Sequence, residues 1–159
     1  MMDLHVRRAN PGDIPKLLDL LRQAVNVHAE GRPDLFKKGK TKYSAEELAL
    51  ILRDETRPVF VAADQEECVR GCGFCIITET KGSNILQEVK ELYIDDICVD
   101  RHSRGTGCGS IIYEAIEAYA RDIGCYHLIL NVWAFNETAR SFYEAKGMKM
   151  LRIGMETIL

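Results

Sequence analysis

The stretch that most limits what this chain can become runs from Asp95 to Ser110, Asp-Asp-Ile-Cys-Val-Asp-Arg-His-Ser-Arg-Gly-Thr-Gly-Cys-Gly-Ser. Leu92, Tyr93, Ile94, Ile97 and Val99 are aliphatic, aromatic or β-branched, so the segment enters as a strand. It leaves through glycines at alternate positions, Gly105, Gly107 and Gly109, and an amphipathic pattern follows at once. A glycine loop opening onto a helix is a phosphate cradle. The first helical N–H groups have no partner within the helix, and the helix dipole is positive there. Two phosphate-loop types fit poorly. A triphosphate loop needs Lys-Ser or Lys-Thr after its last glycine, where this chain has Ser110-Ile111. A dinucleotide fingerprint needs glycine where Ser110 stands and belongs early in a βαβ unit, which disfavours a dinucleotide-binding oxidoreductase domain.

A third loop pattern, Arg/Gln-x-x-Gly-x-Gly/Ala, is matched by Arg104, Gly107 and Gly109. Downstream, the stretch from Asn131 to Met148 sets Asn136 at a helix start, then Ala139, Phe142-Tyr143 and the closing Gly147. In that order and at that separation, the two motifs resemble the GNAT superfamily of N-acetyltransferases. The resemblance covers most of the chain from Leu92 onward, and the N-terminal half is consistent with it. It implies an α+β GNAT fold, a mixed central sheet with helices on both faces. It also implies acetyl-CoA as the acyl donor, with no metal.

Length and charge agree with that expectation. A chain of 159 residues suits one domain over 1–159 and can bury a sizeable core without staples. A net charge of −3 gives no bulk attraction to nucleic acid or anionic membrane, so neither is an expected partner. No apolar run is long enough to cross a bilayer, and the Met1-Met2-Asp3 start lacks a signal-peptide layout. The expected location is cytoplasmic. The six cysteines sit mostly in apolar segments, as free thiols would. Cys72-x-x-Cys75 lies within a strand, where residues three apart face opposite sides, so neither zinc nor a redox pair is expected.

Taken in order, Leu4 to Arg8 reads as a strand, and Asn10-Pro11-Gly12-Asp13 starts a helix with Ile14, Leu17, Leu18, Leu21 and Val25 on its core face. From His28 to Lys42 turn chemistry takes over, ending in a basic stretch flanked by Phe36 and Tyr43. A solvated loop explains that stretch better than nucleic-acid binding, and the resemblance makes it a wall of the acceptor site. Ser44-Ala45-Glu46-Glu47 is a capping box for a short helix. Val59 to Ala63 and Cys68 to Thr80 form an antiparallel pair, with Gly71 and Gly73 marking a bulge or a close backbone approach. After the glycine loop, Ile112, Ala115, Ile116, Tyr119 and Ile123 give a helix an apolar face. His127 to Val132 reads as a strand suited to the sheet centre. A helix over Asn136 to Lys146 and one or two strands within Met148 to Leu159 complete the chain.

The resemblance assigns roles residue by residue. Backbone N–H groups of Gly105, Thr106, Gly107, Cys108, Gly109 and Ser110 ring the pyrophosphate, with Arg104 adding charge. Main-chain groups of Ile97, Cys98 and Val99 hold the pantetheine arm and polarise the thioester carbonyl. Asn136 serves both as helix cap and as a contact to the arm. Tyr143 is the general acid at the departing thiolate, or alternatively a packing tyrosine. Asp95 and Asp96 are costly in an apolar strand unless paired or functional. Simple alternation puts Asp95 beside the thioester as base or amine anchor and Asp96 on the other face, an order that a bulge would reverse. The expected activity is acetyl transfer to a primary amine, small molecule or peptide, by direct attack in a ternary complex. The alternative is a non-catalytic acyl-CoA sensor. Dimers are common in the family, so a homodimer is a further expectation.

Overall fold

A computed structural model of the chain describes residues 2–159. Strands β1 (Leu4–Arg8), β2 (Val59–Asp64), β3 (Val69–Glu79), β4 (Lys90–Val99) and β5 (His127–Leu130) form one sheet in that spatial order. The first four are antiparallel and β5 joins β4 in parallel. Helices α1 (Ile14–Gly31) and α2 (Ala45–Ile51) cover one face; α3 (Cys108–Asp122) covers the other. Helix α4 (Glu137–Ala145) adds Phe142 and Tyr143 to the α3 side.

Two cores result. Leu17, Leu20, Leu21, Leu48 and Ile51 pack on Val59, Val61 and Cys72, while Ile112, Tyr113 and Ile116 pack on Phe60, Ala62, Leu92 and Ile94. Burying each such aliphatic side chain contributes about 1.5–3 kcal/mol. Both features expected of the β3 glycines are present: the β2–β3 register shifts between Ala62 and Ala63, whose partners are Gly71 and Val69, so a bulge at Arg70 adjoins Gly71, and both glycines allow a close approach. A Cβ on Gly71 would lie 2.8 Å from Cys108 Sγ, and one on Gly73 would lie 2.7 Å from Ile116 Cδ1. Their absence lets α3 lie flat on the sheet, which sets where its N-terminus ends up.

Several expectations need correction. Helix α1 starts after a 3-10 turn at Pro11–Asp13 and continues to Gly31, so His28 is helical. On α3, Tyr113 is buried and Ala115 only partly so. Strand β5 sits at the sheet edge and is half-buried throughout; its apolar run faces the inner side of a groove. Residues 148–159 form no strand at all. Among the described residues no strand pairs with them, so no ladder forms.

Candidate active site

The decisive local feature is a bulge in β4. The β3–β4 register slips between Phe74 and Cys75, whose partners are Asp96 and Ile94, so Asp95 is the extra residue. Ile94, Ile97 and Val99 all pack toward α3, whereas Cys98 packs toward α1. The slip therefore breaks the alternation that separated Asp95 from Asp96. Both carboxylates reach the same group, with Lys42 Nζ donating to Asp95 Oδ2 at 2.7 Å and to Asp96 Oδ2 at 2.9 Å. Tyr43 Oη donates to Asp95 Oδ2 at 3.3 Å and accepts from Arg57 Nη2 at 2.9 Å. Burial pushes the Asp96 carboxyl above its ordinary pKa, with Lys42 opposing.

Beyond the bulge the sheet opens. Strand β5 pairs with β4 only from Glu91 to Ile94. From Asp95 to Val99 the β5-facing edge of β4 has no strand partner among the described residues, so the main chain of Ile97, Cys98 and Val99 is open to an added strand-like ligand. The Ile97 and Val99 side chains meanwhile pack in the α3 core. The slot continues into the glycine loop. Gly105 (φ 75°) and Gly107 (φ 86°) are left-handed, a conformation L side chains disfavour by about 1–2 kcal/mol. Gly107 caps α3 and no side chain caps that terminus, so its first amides face the groove. Arg104, Gly105, Cys108, Gly109 and Ser110 line it too. Thr106 does not line it; its hydroxyl donates to the Ser103 carbonyl at 2.6 Å.

Sequence reasoning missed what holds this loop in place. Asp100, buried at its entrance, takes the His102 N–H at 2.9 Å and pairs with Lys16 of α1. Gln23 Oε1 accepts from Arg101 N at 3.0 Å. Burial alone would raise the Asp100 pKa, but the Lys16 ammonium and the His102 amide bring it down to about 2. Only a helix distant in sequence supplies these partners, so no local motif announces them.

Tyr143 stands across the groove on α4, against Tyr113 at 6.2 Å between ring centroids. Burial, then the neighbouring Cys98 and Asp96, keep its phenol neutral far above its ordinary pKa. Asn136 caps α4, its Oδ1 accepting from Ala139 N at 3.1 Å, and also lines the groove. At the far end, His28, Phe36 and Trp133 cluster, with Phe36 edge-on to Trp133 at 5.2 Å. Burial lowers the His28 pKa. The groove encloses about 2270 Å³, well above the roughly 300–1,000 Å³ of a drug-sized pocket. Cys72 and Cys75 project into opposite cores, and burial pushes the Cys75 thiol up to about 12.

The chain is similar to known acetyltransferases along nearly its whole length. The pattern of the Acetyltransferase (GNAT) family matches residues 21–148. A cattle (Bos taurus) thialysine N-epsilon-acetyltransferase is 32% identical, over 92% of this chain and 84% of that protein. A tetramutant Bacillus halodurans protein superposes with TM-score 0.92 at 29% identity, covering 98% of this chain and 99% of the other. An Arabidopsis thaliana glucosamine-6-phosphate N-acetyltransferase shares the fold, with TM-score 0.70 at 21% identity and 98% of each chain covered. With its paired motifs, its splayed β4 and the family pattern spanning residues 21–148, this chain belongs to the GNAT family of acetyltransferases.

Proposed function

We propose that this domain moves the acetyl group of acetyl-CoA to a primary amine by direct attack in a ternary complex. The observation that carries the reading is the carboxylate pair at the β4 bulge, which holds an alkylammonium beside the open edge of the same strand. Acetyl-CoA fits the rest of the groove. The uncapped α3 terminus and Arg104 suit a pyrophosphate, and the free main chain of Ile97 to Val99 suits an amide-bearing arm. One of those amides would stabilise the oxyanion that develops on the thioester carbonyl.

Asp95 and Asp96 anchor the incoming ammonium. Asp96, its carboxyl raised by burial, accepts the proton and passes it onward through water. Tyr143 then hydrogen-bonds the departing thiolate. Its phenol is a weaker acid than a thiol, whose ordinary pKa is about 8.5, so it works by sharing its proton. The thialysine relative favours a small lysine-like amine over a peptide. A release-of-thiol screen over amine classes tests the reading; CoA binding with no turnover of any amine would favour the sensor alternative. Tyr143→Phe should lower kcat by about 10²-fold and leave acetyl-CoA affinity intact. Equal loss of both would make Tyr143 structural.

A homodimer is also proposed. Residues 148–159 expose Met150, Ile153, Met155 (93%) and Ile158, while β5 offers a free outer edge. An apolar tail without a strand partner and an unpaired sheet edge in one chain are complementary between two copies. Light scattering of the full chain and of a chain ending at Met148 should give a dimer and a monomer respectively.

A further inference from the structure

The ammonium between Asp95 and Asp96 belongs to the protein itself, and this has a consequence for acceptor binding. It is chemically the same group as the amine to be acetylated, a primary ammonium on a methylene chain. We propose that Lys42 is a tethered stand-in for the acceptor, occupying the carboxylate pair until an acceptor ammonium displaces it. The inference deepens the transferase reading and rests on it for the identity of the site.

The surroundings of Lys42 suit a group that must leave. Its backbone lies in the segment between α1 and α2, and other residues secure that segment. Gly39 N donates to Asn26 Oδ1 at 2.7 Å, Tyr43 is held by Arg57, and Ser44 N donates to Glu47 Oε2 at 2.7 Å. The Lys42 side chain, 37% exposed, hydrogen-bonds only Asp95 and Asp96 among the described residues. A lysine stem has four rotatable methylenes, so the head can swing into water while the loop stays in place. The groups facing it are Asp95, Asp96, the Tyr43 hydroxyl and ring, and His28 beyond Asp96. Both carboxylates hold the Lys42 amine as an ammonium in spite of partial burial, so it fills the site as a cation, the form in which an acceptor amine arrives.

Self-occupancy acts as a selectivity filter. Apparent acceptor affinity is reduced by the fraction of molecules in which the site is filled. A bare alkylammonium exchanges one ammonium for another and gains little. An acceptor that also contacts the aromatic cluster of His28, Phe36 and Trp133 adds contacts that Lys42 lacks. Carboxylates about to receive a cation also stay neutralised in the free enzyme, which avoids the cost of an unpaired buried charge.

The test uses n-butylammonium as the probe, titrated by NMR into the full-length protein with CoA present. Lys42→Met should bind the probe about fivefold more tightly than wild type, since the site is no longer self-filled. Lys42→Arg keeps the charge but pairs both carboxylates through a planar fork, so binding should weaken by about fivefold. In wild type, the 15Nζ signal that Lys42→Met removes should disappear as the probe saturates. Unchanged or weaker binding by Lys42→Met, binding by Lys42→Arg equal to wild type, or a Lys42 signal that survives saturation would each overturn the proposal. Turnover plays no part in these readouts. A wild type that acetylates no amine would sink the transferase reading, while the titration still decides what Lys42 does.

Discussion

The two ends of the groove are assembled differently. The glycine loop, proposed to hold the donor, takes its parts from consecutive residues, Arg104 to Ser110, and presents backbone to the groove. At the end proposed for the acceptor, Lys42 meets Asp95 across 53 positions of sequence, and only side chains make the contact. Backbone recognition tolerates little change, because positive φ and open amides are demands on chain geometry. Side-chain recognition at the other end can be altered one residue at a time while the sheet persists. A family that keeps one donor and varies its acceptors has reason to divide the groove in this way.

The comparison predicts that damage at one end leaves the other intact. The largest effect should come from Gly107→Glu. The residue is left-handed and caps α3, so a side chain there is strained and sets a carboxylate against the pyrophosphate. CoA affinity should fall by more than about 10³-fold, which exceeds one charge pair and reflects loss of the cradle. The n-butylammonium affinity should not change. Unchanged CoA affinity in a folded variant, measured by calorimetry, would remove the loop from donor binding.

Next in size is the acceptor pair. Asp96→Asn should lower kcat/KM by about 10²-fold near neutral pH, and the loss should shrink at high pH, where the amine is already free. Asp95→Asn should mainly raise the acceptor KM. CoA affinity should hold in both. A pH–rate profile in which only Asp95→Asn is impaired would return the base role to Asp95.

The smallest effect concerns the tie between the two ends. Asp100 joins α1 to the glycine loop, and its pKa of about 2 lies below the ordinary carboxylate value of about 3.8. A carboxyl depressed on folding stabilises the protein above its unfolded pKa, and that stability is lost as pH falls through the folded value. The stability of wild type should therefore decline by about 2 kcal/mol between roughly pH 4 and pH 2 on account of this residue. Asp100→Asn should lack that part of the acid limb and bind CoA several-fold more weakly. Parallel acid limbs in urea titrations of the two proteins would show that the Lys16 pair contributes nothing.

Much of the fold was legible because it is written in short-range patterns. The capping box at Ser44, strand β1 and the helix following the glycine loop each depend on residues within a few positions. The position of β5 was not legible. A continuous apolar run indicates burial on both faces without saying by what, and here one flank is a groove. The strand expected within residues 148–159 failed for a related reason, since a strand exists only with a neighbour to pair with.

From sequence alone came the glycine loop at a helix start, the order of most elements and the family, because local spacing decides backbone conformation and where helix amides end up exposed. Tertiary structure alone decided that Asp95 and Asp96 share one ammonium, that of Lys42, and that Asp100 leans on Lys16. A one-residue register slip reverses every side chain beyond it, and whether it occurs depends on how β3 and β4 settle against their two cores.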